Sequence, residues 1–246
     1  RSGSGSSYPT ELTSFDGKLF FQANDGTNGE ELWVYDGIGA PSMVDDIHQG
    51  SLGSVPHDMT VFDNKLYFSA YDDISGDELW VYTREGHLNR VENLESGSDD
   101  SHPAQMTVFK GKMYFTADVD SYGDELWVYD GEEEPSLVDD LNFGSGSSDP
   151  KNLVVFKNRL YFSASNGRDG RELWVYDDKS DPYMVSNLRK GSESSDPEDL
   201  TVYQDQLYFE AETPEYGHEL WVADGSGNIS LAGDINSGRK PSFPRD

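Results

Sequence analysis

The apolar residues of this chain fall in short runs that are rich in aromatic and β-branched side chains. One group of four such runs covers residues 59–62, 65–70, 78–82 and 88–94. Segments of this length and composition are typical of β-strands. The run Leu79-Trp80-Val81-Tyr82 is apolar at successive positions instead of alternating. Because successive side chains of a strand point to opposite faces, we expect both faces of these sheets to be covered.

Dipeptides typical of tight turns separate the first two runs of a group. They are Asp16-Gly17, Asp63-Asn64 and Lys110-Gly111. Two-residue connections of this kind favour type I′ hairpins, which join antiparallel strands. Each group of four runs is therefore predicted to form an antiparallel meander of four strands, named A, B, C and D in chain order.

The groups repeat along the chain with a period of 47 residues. The period separates Trp33, Trp80, Trp127, Trp174 and Trp221, and it also separates Pro9, Pro56, Pro103, Pro150, Pro197 and Pro244. A period held without insertion indicates one architecture. We therefore predict a single domain over residues 1–246, built from five units at about 9–55, 56–102, 103–149, 150–196 and 197–243.

Four-stranded units of this length, covered on both faces, are typical of β-propeller blades. The predicted fold is all-β: a closed five-bladed β-propeller with four antiparallel strands per 47-residue blade. A β-sandwich is the competing architecture, but it does not predict so strict a period. Pro244 repeats the phase of Pro9, so the two ends of the chain are expected to compete for one linker position.

The chain is strongly acidic. It carries 18 Lys and Arg against 47 Asp and Glu, which gives a formal net charge of −29. Such a field repels phosphate groups, so nucleic acids and anionic membrane surfaces are poor partners, whereas cations, basic proteins and glycans remain open. No Cys is present, which excludes disulfides. No apolar run approaches the roughly 18 residues that span a bilayer, so membrane insertion is not expected.

The third strand and its exit carry a recognisable pattern. Residues 31–37 read ELWVYDG, and close copies occur at 125–131 and 219–225. This pattern resembles the ELWxxDGT repeat of large extracellular and cell-surface proteins, and the likeness covers all five units. Thr83-Arg84 and Asp177-Asp178 replace the Asp-Gly pair in two of them. The resemblance implies a propeller-like fold and an extracellular or cell-surface location, and it implies no particular activity.

One Glu and one Trp occur at fixed positions of the third strand in every unit. The glutamates are Glu31, Glu78, Glu125, Glu172 and Glu219. Catalytic carboxylates work as differently tuned pairs, whereas five identical copies indicate one structural task. We expect each Glu to accept backbone hydrogen bonds at the loop between strands B and C, and each Trp to pack inside its blade.

The loops between strands B and C contain candidate calcium ligands. Asp118 and Asp120, followed by Glu125, loosely resemble a calcium loop, and Asp72 and Asp73 lie in the equivalent loop of the second unit. Hard cations take several oxygen ligands on a tight turn. Calcium is therefore the candidate cofactor, and a solvated acidic loop is the alternative.

A second candidate site lies at the start of strand A. Five residues with a side-chain oxygen share this position: Glu11, Asp58, Gln105, Asn152 and Asp199. In a closed ring these oxygens would converge on a cation, a water cluster or another ligand at the mouth of the channel. The alternative is that they cap local turns.

Other catalytic signals are missing from the sequence. The five His fall at five different positions of the repeat, although His57 and His102 flank the same linker position in neighbouring units. This distribution predicts no zinc site. No Ser has the setting of a nucleophile elbow, and no Gly-rich loop opens a helix that would hold phosphate.

These features predict a non-enzymatic, extracellular recognition, scaffold or adhesion module. It would bind a protein or glycan partner through an acidic loop face or through pockets between blades, because repeated equivalent sites gain avidity for a repetitive ligand. A lectin is one alternative. A cation-dependent hydrolase or lyase at the channel mouth is another, and it requires the units to differ sharply there.

Overall fold

A computed structural model describes residues 5–92, 94–95 and 98–237 of the chain. These residues form twenty strands in five four-stranded antiparallel sheets, and they contain no helix. It follows that none of them lies in a helix that is long and apolar enough to cross a membrane. The predicted all-β chain of antiparallel four-stranded units is confirmed.

In every sheet the strands lie side by side in chain order. The first sheet contains β1 (Thr10–Phe15), β2 (Lys18–Asn24), β3 (Glu30–Tyr35) and β4 (Ser42–Met43). The second contains β5 (His57–Phe62), β6 (Lys65–Asp72), β7 (Gly76–Tyr82) and β8 (Leu88–Glu92). The third contains β9 (Ala104–Phe109), β10 (Lys112–Val119), β11 (Gly123–Tyr129) and β12 (Ser136–Asp139). The fourth contains β13 (Lys151–Phe156), β14 (Arg159–Ser165), β15 (Arg171–Tyr176) and β16 (Tyr183–Ser186). The fifth contains β17 (Glu198–Tyr203), β18 (Gln206–Thr213), β19 (Gly217–Ala223) and β20 (Ile229–Gly233).

The chain divides into two compact units, and the third sheet contributes residues to both. Unit 1 comprises the residues up to Val119 together with Val128–Ser136. Unit 2 comprises Asp120–Trp127 and the residues from Leu137 onward. The first and second sheets therefore belong to unit 1, and the fourth and fifth belong to unit 2.

The first two strands of a sheet are joined by the predicted tight turns. Asp16 and Gly17 have φ of 48° and 73°, and Lys110 and Gly111 have φ of 51° and 74°. Positive φ at both central residues is the requirement of a type I′ turn, whose twist matches that of the flanking strands. The turn dipeptides thus fix the hairpins that the sequence indicated.

Two clusters of the apolar core each lie between neighbouring sheets of one unit. In unit 1, Phe20 and Leu32 of the first sheet pack with Leu66, Phe68 and Ala70 of the second. In unit 2, residues of the fourth sheet pack in the same way against the fifth, in a cluster that contains Tyr161, Leu173, Val175, Leu207, Phe209 and Trp221. Face-to-face packing explains why the strands are apolar at successive positions.

Candidate functional site

The five repeated glutamates are fully buried. Glu31 accepts hydrogen bonds from the amides of Ile47, His48 and Ser54 and from the hydroxyl of Ser54. The hydroxyls of Ser101, Ser148 and Ser195 make the equivalent bonds to Glu78, Glu125 and Glu172. These donors lie 16 to 23 residues after each Glu, in the segment that connects one sheet to the next and is called the linker below. The prediction that each Glu bonds to the loop between strands B and C is therefore wrong.

Burial changes the acidity of these carboxyl groups. It raises the pKa of both Glu78 and Glu125 to about 7, even though the serine hydroxyls and linker amides favour the ionised form. Burial also raises the pKa of Glu31 and Glu172. All four residues act as structural acceptors, and Glu78 and Glu125 titrate close to neutral pH.

The candidate calcium ligands have different surroundings. Asp118 and Asp120 are exposed, whereas Glu125 is buried and bound by Ser148 and the amide of Leu141. In the second sheet, Asp72 accepts the amides of residues 74 and 75, as in an Asx turn, and Asp73 lies 3.1 Å from Nε2 of His48. Among the described residues, no group of three or more His, Asp or Glu has the geometry of a metal site.

The five residues at the start of strand A that were predicted to form a ring of side-chain oxygens, called the oxygen ring below, lie at β-bulges and have positive φ. The five residues Glu11, Asp58, Gln105, Asn152 and Asp199 have φ of 56°, 52°, 58°, 57° and 53°. In unit 1, Oε2 of Glu11 accepts the amide of Asp58 at 3.2 Å, and Oδ1 of Asp58 accepts the amide of Gln105 at 3.3 Å. These side chains link successive sheets, and their role as a ligand-binding ring stays a prediction.

Three other positions at the same end of each sheet differ strongly between the repeats. The first residue of strand A pairs with a residue near the end of strand B, as Thr10 with Gln22, His57 with Ser69, Ala104 with Thr116, Lys151 with Ser163, and Glu198 with Glu210. A residue at the start of strand C completes the set: Glu30, Asp77, Asp124, Arg171 or His218. The repeats therefore have similar residues at the positions that build the sheets and different residues at this end of the sheets.

In the second sheet these positions form a cluster around Asp77. Oδ1 of Asp77 accepts the hydroxyl of Ser69 at 2.6 Å. Its Oδ2 lies 3.1 Å from Nδ1 of His102 and 3.4 Å from Nε2 of His57. The amide of Asp77 donates to Oδ1 of Asp100 at 2.7 Å. One buried carboxylate thus holds two imidazole rings, and every member of the cluster belongs to unit 1.

The protonation states within the cluster follow from these contacts. Hydrogen bonds to Asp58 and Asp77 raise the pKa of His57 to about 10, against the effect of burial. Burial alone would raise the pKa of Asp77, but hydrogen bonds from His57, Ser69 and His102 outweigh it and lower this pKa. At neutral pH, Asp77 is therefore ionised and His57 is protonated.

His102 is the reactive candidate of the cluster. Its side chain is 62% exposed, and Asp77 binds its Nδ1. The shorter contact, to Asp77 at Nδ1, favours the tautomer in which Nε2 is the basic nitrogen, and Oδ2 of Asp100 lies 3.8 Å from that nitrogen. Ser69 is fully buried, so its hydroxyl serves to hold Asp77 and is not an accessible nucleophile. The pair can therefore move a proton at Nε2 of His102.

The scattered positions of the five histidines gave no indication of this cluster, in which His57 and His102 both contact Asp77. A signal was present, because these two residues flank one linker position. Alignment of the five repeats column by column would have shown Asp77 in a column that also contains Glu, Arg and His. The residues that the repeats share build the sheets, whereas the residues of the cluster lie in columns that differ.

No protein-family model matches the chain, and no curated protein matches it. The resemblance to ELWxxDGT repeats therefore stays a prediction, as do the extracellular location and the partners inferred from sequence.

Solved structures do share the fold. A puromycin hydrolase matches all of this chain and 40% of its own, with 14% identity and a TM-score of 0.62. A prolyl endopeptidase structure matches 92% of this chain and 36% of its own, with 10% identity and a TM-score of 0.59. The gluconolactonase XC5397 from Xanthomonas campestris matches 91% of this chain and 75% of its own, with 10% identity and a TM-score of 0.50. The chain thus spans well under half the length of the first two proteins, and at these identities the likeness shows the fold.

These neighbours overturn the predicted function. A blade repeat does not by itself establish a non-enzymatic recognition module, and the three proteins above are hydrolases by name. The predictions that the chain is a binding module and that it is not an enzyme are therefore wrong. The symmetry of the repeats also does not extend to the end of the sheets that holds His57 and Asp77, where the repeats differ sharply.

Proposed function

We propose that the five sheets close into a five-bladed β-propeller and that the chain is a hydrolase whose reaction centre is the Asp77–His102 pair. The observation that carries the proposal is the buried carboxylate of Asp77 bound to Nδ1 of an exposed imidazole at 3.1 Å. The hydrolases that share the fold support the reaction class.

The chemistry follows from the two residues. Nε2 of His102 accepts a proton from a water molecule as the water oxygen attacks the carbonyl carbon of an ester, lactone or amide. Asp77 holds Nδ1–H and stabilises the imidazolium that forms. The proton then passes from Nε2 to the leaving oxygen or nitrogen as its bond to the carbonyl carbon breaks. Protonated His57 balances part of the charge of Asp58 and Asp77, which allows three carboxylates, Asp100 included, to lie close together.

The proposed site lies where the sequence placed its hydrolase alternative, at the start of strand A. Asp58 of the predicted oxygen ring contacts Nδ1 of His57 at 3.1 Å. The reacting groups are nevertheless different from those expected, because the proton carrier is an imidazole. Its position depends on Asp77, which lies outside the ring.

Hydrolysis is tested with three carbonyl substrates, p-nitrophenyl acetate, a δ-lactone and an aminoacyl p-nitroanilide. We expect turnover of at least one of them, and His102→Gln should lower kcat by about 10²- to 10⁴-fold. His87→Gln is the matched control, because His87 is an exposed histidine in the same sheet that touches none of these residues. An inactive protein, or equal rates for His102→Gln and His87→Gln, would refute the proposal.

Closure of the five sheets is tested by deletion of residues 190–236, one whole repeat. Each sheet has two apolar faces, so a chain of four sheets should aggregate or form oligomers. A soluble and cooperatively folded monomer of four sheets would contradict closure at five.

A further inference from the structure

The fifth sheet differs from the other four at the position where strand A pairs with strand B. Glu198 lies directly opposite Glu210 in the antiparallel ladder of β17 and β18. Residues paired in this way have Cβ atoms about 4.5–5.5 Å apart on one face of the sheet, and like charges there are destabilising. In the other sheets the same two positions hold neutral pairs or a cation with a neutral partner. Only the fifth sheet places two carboxylates together there.

Glu210 supplies an independent observation. It is 4% exposed, and its Oε1 is bound by Nδ1 of His218 at 2.9 Å. Its Oε2 is buried and accepts no hydrogen bond from any described residue. A buried carboxylate oxygen without a donor or cation is costly. The fifth sheet therefore has two facing carboxylates beside one imidazole, and a buried carboxylate oxygen that lacks a donor, at one place.

We propose that Glu198 and Glu210 form a binding site for a hard divalent cation, Ca²⁺ or Mg²⁺. Such ions are held by carboxylate oxygens, and Mg²⁺ in particular is bound through one or two carboxylates with water completing the coordination. The cation would bind Oε2 of Glu210 together with the carboxylate of Glu198, which is exposed and able to turn toward it. His218 is the positioning residue, since its bond to Oε1 fixes the orientation of the Glu210 carboxylate.

The site is separate from the Asp77 cluster and from the loops first considered for calcium. Glu198 and Glu210 belong to unit 2 and to strands A and B, whereas Asp118 and Asp120 lie at the end of strand β10 and after it. Asp199, the neighbour of Glu198, is the fifth-sheet member of the predicted oxygen ring. The sequence thus indicated a cation close to this position, but it did not indicate that Glu198 and Glu210 would bind it.

Thermal melting of the full chain tests the site in CaCl₂, in MgCl₂ and in NaCl of equal ionic strength. Because the ion binds the folded state, a concentration of 100 times its Kd should raise the midpoint by about 5–10 °C above the NaCl value. Glu198→Gln should abolish this rise. Glu132→Gln, an exposed glutamate in the third sheet, and Asp118→Asn with Asp120→Asn should both retain it.

A second variant keeps the test decisive if Glu198→Gln folds poorly. Glu198→Lys places an ammonium opposite Glu210, at the position that Lys151 occupies in the fourth sheet. Its midpoint without divalent ions should rise toward that of the wild type with Ca²⁺, and it should no longer respond to Ca²⁺. Mn²⁺ used as a paramagnetic probe should broaden the NMR signals of His218 in the wild type and leave them sharp in Glu198→Lys. Equal midpoints in CaCl₂, MgCl₂ and NaCl, or an undiminished response in Glu198→Lys, would overturn the proposal.

Discussion

The hydroxyl of Ser54 donates to Oε2 of Glu31 at 2.5 Å, and this bond ties the linker ahead of the second sheet to the third strand of the first. Ser101, Ser148 and Ser195 repeat the bond in later linkers. All four serines and their glutamates are buried. The connection between consecutive sheets thus depends on a buried carboxylate as well as on apolar packing.

Loss of one linker hydroxyl should destabilise the fold. Ser148→Ala removes the hydroxyl donor of the buried Glu125 carboxyl group and leaves its backbone amide donors, and loss of one hydrogen bond to such a group costs about 1–3 kcal/mol in the free energy of unfolding. Urea denaturation measures the change. Ser145→Ala, an exposed serine of the same linker, should stay within about 0.5 kcal/mol of the wild type. An equally mild effect for Ser148→Ala would mean that the bond contributes nothing.

Stability should fall as the pH rises from about 4.5 to 7. The pKa of Glu78 and Glu125 is about 7 in the folded protein against a model value of 4.5, so within this window the folded state keeps protons that the unfolded state has released. The free energy of unfolding therefore decreases with pH, on the order of 1–3 kcal/mol for each Glu. Urea denaturation at pH 4.5, 6 and 7.5 checks this trend.

A separate loss is expected at higher pH. The pKa of His57 is about 10 in the folded protein against 6.5, so its stabilising contribution is complete below pH 6.5 and disappears as the pH approaches 10. Glu125→Gln should flatten the stability profile below pH 7 only, and His57→Gln should flatten it above pH 6.5 only. A Glu125→Gln profile that matches the wild type would show that Glu125 has an ordinary pKa.

The strands could be predicted from sequence to within two residues at most ends. Strand A was expected to begin at residue 59 and begins at His57, because a register shift at Asp58 interrupts its alternation. Strand C was expected at 78 and begins at Gly76, where a main-chain pair with Asp72 extends the ladder. Neither the bulge nor the polar pair leaves an apolar signal in the sequence.

The candidate site was much less predictable. Asp77 follows His57 by 20 residues and precedes His102 by 25, and only the linker between the second and third sheets brings the second histidine back to Asp77. The shared residues of the repeat revealed the scaffold. The proposed reaction centre consists of residues that the repeats do not share, so the repeat pattern gives no indication of it.

Asp77→Asn should lower the rate of hydrolysis without unfolding the protein. An amide can present its nitrogen to Nδ1 of His102, so the tautomer that makes Nε2 basic is no longer enforced. We expect kcat to fall by about 10²-fold or more while KM changes little, since Asp77 is a positioning residue with a buried side chain. Asp205→Asn, at an exposed turn of the fifth sheet, is the control. A loss confined to KM would place Asp77 in substrate binding instead.

The repeated tryptophans should respond unequally to replacement by Phe. Nε1 of Trp174 donates to the carbonyl of Ala164 at 3.0 Å, and Trp80 and Trp221 make the same bond in their own sheets. Nε1 of Trp33 is buried without a hydrogen-bond partner among the described residues, and this side chain lines a cavity of about 320 Å³. The repeated Trp therefore has two different environments, one with an acceptor for Nε1 and one without.

Trp174→Phe removes a hydrogen bond and leaves the Ala164 carbonyl without its donor, so it should cost about 1 kcal/mol more in the free energy of unfolding than Trp33→Phe. Trp33→Phe loses the same ring volume but removes a buried N–H that has no acceptor, and the cavity already present reduces the packing that can be lost. Urea denaturation of both single variants and of the double variant measures the difference. The two indoles share no hydrogen-bond partner, so their effects should add within about 0.5 kcal/mol. Equal costs for Trp33→Phe and Trp174→Phe would mean that the indole of Trp33 does have an acceptor in solution.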